Sequence, residues 1–311
     1  MWKLVCALTL AACSSSATTC PPPAAPRHAI AADDVPPPDD QLRKWQAIHA
    51  DKDQLPAGTT TEQLVPELVA YLGSVDPVRR DGIAFEVFVG WILKEPKLDG
   101  AELRALTKTL ARNLAGSTEP GDGVYLRSFS ALVLSQIAKR DLDTPLFDDA
   151  GRRQLLDVAV SYAGRERDLR GHTGKRGWAH AAAHTSDLLK FLARQPGLTD
   201  DDRARVFDAV SALTVRRHGA ILHHGEDGRL AIPVIEVLRR GVPDDKITAF
   251  VAALAEPLQQ PEPAQFDAPL YAAQRNARNL LFTLFVQLSV DQKPSDDMQR
   301  ALAAIKTLIA S

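Results

Sequence analysis

Three side chains near the middle of the chain have the types and spacing of metal ligands. His180, His184 and Asp187 lie on a helix predicted from Trp178 to Arg194. An α-helix turns about 100° per residue, so these three share one face. The intervening residues 181–183 are alanines and leave the imidazoles sterically free. Two histidines and a carboxylate can converge on one divalent cation, so a metal-dependent hydrolase is one hypothesis.

A second polar group further along the chain extends this cluster. His224, Glu226 and Asp227 stand at the predicted start of a helix, and six of the eight histidines fall within residues 172–224. If alternate helices lie side by side and parallel, as in stacked helix pairs, this start lies near His180. Glu226 would then be placed to act as a general base.

A structural interpretation competes with the metal hypothesis. Histidines and carboxylates on a buried face commonly form a satisfied hydrogen-bond network. A guanidinium beside a cation site is also electrostatically unfavourable. The residues that would support the cluster are Glu166, Asp168, Arg170, Trp178, Arg127 and Arg229. Glu166 is also an alternative to Glu226 as the general base. A structural network needs no cofactor and the hydrolase needs a divalent metal, so the sequence leaves open whether the protein is an enzyme.

The sequence lacks the motifs of the common enzyme classes and of nucleic-acid binding. It contains no Gly-rich phosphate loop, no Gly-x-Ser-x-Gly, no His-Glu-x-x-His and no EF-hand loop. Its formal net charge is −2. The overall charge therefore does not attract nucleic acid, and we expect no nucleic-acid partner. Its three cysteines all lie in the first twenty residues. The rest of the chain therefore has no disulfide framework, cysteine-based zinc site or cysteine nucleophile.

Helix signals recur at regular distances from Gln41 onward. Asp76-Pro77 and Asp99 are typical of helix starts, and no segment alternates as a β-strand does. Helix pairs begin near residues 62, 100, 149, 200 and 244. A spacing of roughly 40–50 residues is typical of armadillo and HEAT-like repeats. We therefore predict an all-α protein built as an irregular HEAT/armadillo-like stack of helix pairs, with an irregular helical bundle as the alternative.

Three stretches of the helical region carry a family resemblance. They are Tyr125-Leu126-Arg127-Ser128-Phe129-Ser130-Ala131, the stretch from Arg170 through Asp187, and Gly225-Glu226-Asp227-Gly228-Arg229-Leu230. In these stretches, and over most of the helical region, the chain resembles the bacterial proteins grouped as DUF2785, a domain of unknown function. The resemblance implies an all-helical fold and no assigned reaction. The N-terminal segment departs from the typical member of that family.

The N-terminus has the pattern of a bacterial export signal. Lys3 supplies a positive charge, and residues 4–12 form a compact apolar stretch. The end of that stretch, Leu10-Ala11-Ala12-Cys13, resembles the lipobox, in which the cysteine is lipidated and becomes the new N-terminus. We predict a signal peptide at residues 1–12 and a lipid anchor at Cys13, with an ordinary secretory signal as the alternative. The protein would be exported and held in the cell envelope, on either the inner or the outer membrane.

These features define the domains and the leading functional hypothesis. After Cys13, residues 13–40 are predicted to be a disordered tether rich in Pro, Ala and Ser, and residues 41–311 are the helical domain. Stacked helix pairs expose long surfaces suited to a protein or peptide partner. The leading hypothesis is therefore a non-enzymatic binding or scaffold module at the envelope. It predicts a contiguous groove lined by the second helix of each pair.

Overall fold

A computed structural model describes residues 39–216, 219–261 and 263–310. Asp40–Ser311 forms one compact unit. The predicted signal peptide, Cys13 and nearly all of the predicted tether lie outside the described residues. Asp40, the last residue of the predicted tether, is the first residue of a helix.

Helices account for almost all regular structure in the described chain. Their bounds are α1 (Asp40–Ala50), α2 (Thr61–Leu72), α3 (residues 78–94, π-helical at both ends), α4 (Gly100–Ala115), α5 (Gly123–Asp143), α6 (Asp149–Arg165), α7 (Ala181–Ala193), α8 (Asp200–Val215), α9 (Glu226–Arg240), α10 (Asp244–Ala255), α11 (Ala268–Val290) and α12 (Asp296–Ala310). Within the described ranges, the only β-pairing is an isolated antiparallel bridge between His172 and Trp178. The all-α prediction is confirmed.

Capping residues in the sequence fix several helix starts. At α4, the Asp99 carboxylate accepts the backbone N–H of Glu102, and the Glu102 side chain accepts the N–H of Asp99. Thr199 and Asp202 make the same reciprocal pair at α8. Such capping boxes satisfy N–H groups that have no partner within the helix.

One helix of the candidate site begins later than the sequence predicts. The sequence pattern predicts a helix from Trp178, but α7 begins at Ala181. Instead, residues 170–180 form a hairpin that includes the start of the predicted helix. Its last residue, His180, is the N-cap of α7 with φ of 52°, a left-handed conformation. His180 therefore lies before the first residue of α7 and does not share a helical face with His184 as predicted.

The helices pack as successive pairs in two layers. The first layer contains α2, α4, α6, α8 and α10, and the second contains α3, α5, α7, α9 and α11. Within the second layer α7 packs between α5 and α9, and within the first layer α8 packs between α6 and α10. The last helix, α12, packs against α10 and α11. This order of contacts agrees with the predicted stack of helix pairs.

A large apolar core runs through the described helices from α1 to α12, and a second, small cluster contains Val124, Tyr125, Ala179 and Ala181. The large core includes Trp45 and Trp91, whose ring centroids are 6.3 Å apart, and it extends to Ile305. Both tryptophans are fully buried. Across the described part of the chain, no helix combines the length and the apolar character needed to cross a bilayer.

Three grooves of the described unit lie between helices of the first layer. In the second layer every residue of α7 is buried except Lys190, which is half-buried. Residues 181–183 are alanines, and such small side chains allow α5 and α9 to pack closely against α7. The expected groove along the second helices is therefore closed at α7. Apolar grooves instead separate α2 from α4, α4 from α6 and α8 from α10.

Candidate functional site

The candidate site is organised by the segment of residues 166–180, which links α6 to α7. The N–H of Thr173 donates to the Gly177 carbonyl at 2.7 Å, and the N–H of Ala179 donates to the Gly171 carbonyl at 2.9 Å. These bonds close a tight hairpin and pair backbone groups that would otherwise be buried without partners. The side chains that surround the hairpin come from α3, α5 and α9.

A buried ion pair fixes the start of this segment. Arg127 on α5 donates from Nε to Glu166 Oε2 at 2.6 Å and from Nη2 to Oε1 at 2.9 Å. The two side chains are 5% and 0% exposed. Glu166 Oε1 also accepts the backbone N–H groups of Arg167 and Asp168, each at 2.9 Å. Burial disfavours the charge on Arg127, but the hydrogen bonds and charge of Glu166 outweigh it and raise the pKa of Arg127.

A second carboxylate ties the segment to the loop before α5. Buried Asp168 accepts from Arg170 Nε at 2.8 Å and Nη2 at 2.5 Å, and from the N–H of Gly121 at 3.1 Å. Burial alone would raise the pKa of Asp168, but the hydrogen bonds from Arg170 and Gly121 lower it. Asp168 is therefore held as a carboxylate, and its hydrogen-bonding capacity is used within the protein.

Arg80 on α3 anchors the tip of the hairpin and is a residue that the sequence analysis does not select. It is fully buried and donates to the carbonyls of Ser74 and Arg176, both at 2.7 Å. Its guanidinium lies 4.3 Å from the ring centroid of Tyr125. A sequence signal does exist, because Arg80 shares a helix face with buried residues at 83, 84 and 87. An arginine on such an apolar face indicates a buried partner.

His184 forms a hydrogen bond with Ser128 on α5. Ser128 Oγ contacts the carbonyl oxygen of Ala179 and lies 2.7 Å from His184 Nδ1. A carbonyl only accepts, so the hydroxyl donates to Ala179 and the Nδ1–H of His184 donates to Ser128. Burial first, and then the charge of neighbouring His180, lower the pKa of His184 well below its ordinary value. His184 is therefore a neutral, structurally engaged histidine, and Ser128 is not placed as a nucleophile.

Asp187 is paired with cationic side chains. Arg229 donates from Nε to Asp187 Oδ1 at 3.2 Å and from Nη2 to Oδ2, and Lys190 Nζ lies 3.5 Å from Oδ1. Within the described ranges, no group of three or more His, Cys, Asp or Glu residues is arranged to hold a metal ion. The ring centroids of His180 and His184 lie 5.7 Å apart, but Asp187 is paired with Arg229 and Lys190, so the three side chains do not form the ligand set that the metal hypothesis requires.

Asp227, the remaining predicted member of the cluster, takes part in a different contact. Its Oδ2 accepts a hydrogen bond of 2.5 Å from the hydroxyl of Thr283 on α11. It links α9 to α11, away from the hairpin.

The structure does bring His180, His224 and Glu226 together beside Trp178, and we call these four residues the imidazole cluster. His180 Nε2 and His224 Nδ1 lie 3.5 and 4.0 Å from Glu226 Oε1. Both nitrogens are buried, and neither has a hydrogen-bond partner among the described residues. The other carboxylate oxygen, Oε2, accepts the backbone N–H of His224 at 2.7 Å. The cluster therefore holds an oriented carboxylate between two imidazoles with unused hydrogen-bonding capacity.

Trp178 forms the solvent-facing side of the imidazole cluster. It is 38% exposed, its ring stacks on His180 with centroids 4.5 Å apart, and its edge meets the ring of His224 at 5.6 Å. Burial lowers the pKa of His180, although the negative charge of Glu226 opposes this change. A Cβ at Gly171 would clash with His224 Nδ1. The close approach of the hairpin to α9 thus depends on glycine at this position.

The fold and the site together define a class of protein: a stack of helix pairs in which buried ion pairs hold a hairpin against the second layer. The chain belongs to the DUF2785 family, because residues 94–286, more than half of its length, match the family described as "Protein of unknown function (DUF2785)". The matched range includes α5, the hairpin and α9. No curated protein and no solved structure matches the chain.

Proposed function

We propose that this protein is a non-enzymatic binding module held at the cell envelope by a lipid on Cys13, and that it binds a polar ligand at the imidazole cluster. The helix-pair stack supports the proposal because it offers a rigid framework for the hairpin. The buried pair of Arg127 with Glu166 fixes the start of the segment, and Arg80 holds the tip of the hairpin through the Arg176 carbonyl. A site preorganised in this way loses little entropy on binding.

One observation carries the proposal: the two unpartnered imidazole nitrogens beside Glu226. A buried polar group without a partner costs about 1–3 kcal/mol. In native proteins such groups usually contact an ordered water, an ion or a ligand. A hydroxyl group among these atoms can donate to the carboxylate and accept from an imidazole N–H at the same time. A ligand hydroxyl bound among these atoms would therefore supply hydrogen bonds that no described side chain provides.

The surroundings of these atoms indicate the class of ligand. Trp178 offers an exposed aromatic ring at the edge of the cluster, and aromatic rings bind flat apolar surfaces while their polar neighbours fix orientation. The carboxylate of Glu226 requires a donor rather than an anion. A small hydroxylated molecule with one apolar face, such as a saccharide, satisfies both conditions.

Tryptophan fluorescence tests this assignment. Among the described tryptophans, Trp45 and Trp91 are buried and Trp178 is exposed, so a ligand-dependent change in emission reports on Trp178 when Trp2 is replaced by phenylalanine. Full-length chain carrying Trp2→Phe and Cys13→Ser would be titrated with glucose, N-acetylglucosamine and ethanolamine. We expect at least one saccharide to change the emission and raise Tm, and Glu226→Gln to weaken that binding at least tenfold.

The neighbouring substitution Asp227→Asn is the matched control, because Asp227 bonds to Thr283 outside the cluster. It should bind like the unsubstituted chain. If no probe alters the emission, or if Glu226→Gln binds as well as Asp227→Asn, the binding proposal is wrong.

The metal-dependent hydrolase is the weaker candidate because Arg229 and Lys190 already neutralise the Asp187 carboxylate. Elemental mass spectrometry distinguishes the two functions when the chain is purified without affinity histidines. We expect no stoichiometric metal in the protein or in a His180→Ala/His184→Ala variant. Near-stoichiometric metal that the variant loses would favour the hydrolase.

The sequence around Cys13 supports the envelope part of the proposal, because it resembles a lipidation site. An anchor with more than one acyl chain holds a protein stably at a membrane. Metabolic labelling of expressing bacteria with a palmitate analogue should label the chain, and Cys13→Ala should abolish both the label and its recovery in the membrane fraction. A label that persists in Cys13→Ala, or its absence from the original chain, would contradict anchoring at this residue.

A further inference from the structure

A groove in the first layer has an apolar floor and a row of basic side chains beside it. Its residues lie far in the sequence from the imidazole cluster. It lies between α4 and α6 and has a volume of about 390 Å³. Buried Leu155 and half-buried Val158, Leu146 and Phe147 contribute apolar surface. Small residues leave the groove open, because position 111 is alanine and position 151 is glycine.

Three exposed basic residues form what we call the basic ridge: Arg104 and Lys108 line one side of this groove, and Arg112 lines the depression that adjoins it. Arg104, Lys108 and Arg112 are spaced four residues apart on α4, so their side chains project from one face about one helical turn apart. The ridge spans about 12 Å at a rise of 1.5 Å per residue. The same groove continues past Ala111 to Ala115.

The charges of the basic ridge are not balanced within the described parts of the chain. Arg104 donates to the Leu146 carbonyl at 3.3 Å, and Arg112 donates to the Thr109 hydroxyl at 3.1 Å. Among the described contacts, no carboxylate pairs with either arginine or with Lys108. Asp148 lines one end of the groove, but its Oδ1 accepts the N–H of Gly151 as the cap of α6.

We propose that this groove binds an acidic amphipathic helix of a protein partner. The apolar floor takes the hydrophobic side chains of the helix, and the basic ridge pairs with carboxylates spaced one turn apart along its flank. The spacing favours a helix over a lipid headgroup, because a headgroup presents one phosphate rather than a row of anions. A helix seated between α4 and α6 also repeats the packing of one helix against two that builds the stack.

A model peptide tests the proposal directly. An 18-residue helix of leucine, alanine and glutamate, with glutamates every fourth residue beside a leucine stripe, would be labelled with fluorescein. Its binding to full-length chain carrying Cys13→Ser would be followed by anisotropy at low and physiological salt. We expect saturable binding that weakens with salt, and at least tenfold weaker binding by Arg104→Glu/Lys108→Glu/Arg112→Glu. A peptide with lysine in place of glutamate should not bind.

A matched variant separates the groove from overall charge. Lys139→Glu/Lys293→Glu/Lys306→Glu makes the same change in net charge at exposed positions outside this groove, and it should bind within twofold of the parent. A single Ala111→Trp substitution, which fills the groove and leaves the ridge intact, should also weaken binding at least tenfold. Should the ridge variant fail to fold by circular dichroism, Ala111→Trp and Lys108→Glu decide the question.

Three outcomes would overturn the proposal. The first is equal loss of binding in the ridge variant and in the charge-matched control, which would assign the effect to net charge alone. The second is unimpaired binding by Ala111→Trp. The third is ridge-dependent binding to phosphatidylglycerol vesicles without binding to the peptide, which would make the groove a site for anionic lipid.

Discussion

Replacing Glu166 by glutamine should destabilise the protein strongly, because it removes the charge from a buried, two-fold hydrogen-bonded ion pair. Glu166 and Arg127 are 0% and 5% exposed, with bonds of 2.6 and 2.9 Å. The amide would leave a guanidinium buried without a counter-charge. Removing one partner of a buried pair typically costs about 3–5 kcal/mol. For a domain of this size, that cost corresponds to a decrease in Tm of roughly 6–20 °C.

A control for this prediction lies in the same region of the chain. Arg167 and Glu119 form an ion pair of 2.7 Å with the same chemistry, but their side chains are 53% and 72% exposed. Exposed pairs contribute at most about 1 kcal/mol. Glu119→Gln should therefore change the free energy of unfolding by less than that amount.

Urea denaturation followed by circular dichroism at 222 nm measures both variants. A double-mutant cycle of Arg127→Met and Glu166→Leu should give a coupling energy above about 2 kcal/mol, because the double variant no longer buries an unpaired charge. If Glu166→Gln costs no more than Glu119→Gln, the pair does not anchor the hairpin and the structural argument fails.

Two further perturbations test the interior of the site. The pKa of His184 in the folded protein lies well below its ordinary value. As the pH falls below about 6.5, this histidine therefore binds a proton in the unfolded chain but stays neutral in the native protein. The free energy of unfolding should then decrease by up to about 1.4 kcal/mol per pH unit. Urea midpoints measured from pH 7.5 to 5.5 test this; if they decline as much in His184→Gln as in the unsubstituted chain, His184 is not the cause. Gly171→Ala should destabilise by about 1–3 kcal/mol, because the added Cβ meets His224 Nδ1. Gly228→Ala, within α9 and with nothing near the new atom, should be neutral or stabilising by about 0.5–1 kcal/mol; equal thermal stability of the two variants would contradict the requirement for glycine at position 171.

The start of α7 differs from the start that the sequence predicts. The spacing of His180, His184 and Asp187 predicts a shared helical face, yet the helix begins only after His180. Hydrogen bonds within residues 170–180 and the contact of Arg80 with the Arg176 carbonyl hold the predicted first turn as a hairpin. Arg80 is distant along the chain, so local periodicity could not reveal this competing structure.

The sequence by itself determined the elements of this protein. Capping residues such as Asp99 and Thr199, the apolar periodicity and the spacing of the helix pairs are local properties, and they were sufficient to predict the all-α class. The family was identified separately, from the resemblance of three stretches of sequence. The helix-pair pattern also predicted that Glu226 would lie near His180, because parallel alternate helices bring their starts together.

Only the tertiary structure decided how the polar residues divide into partners. Which arginine neutralises which carboxylate depends on side chains that meet across helices, as Arg127 does with Glu166 and Arg229 does with Asp187. Charged residues of both signs are common along the chain, so the composition allows many different ion pairs. Burying a charge is unfavourable unless its hydrogen bonds are complete, and this requirement decides which pairs form in the interior. The nitrogens of His180 and His224 are an exception, because they have no hydrogen-bond partner among the described residues. Their unused hydrogen-bonding capacity is a property of packing that spacing along the chain cannot specify.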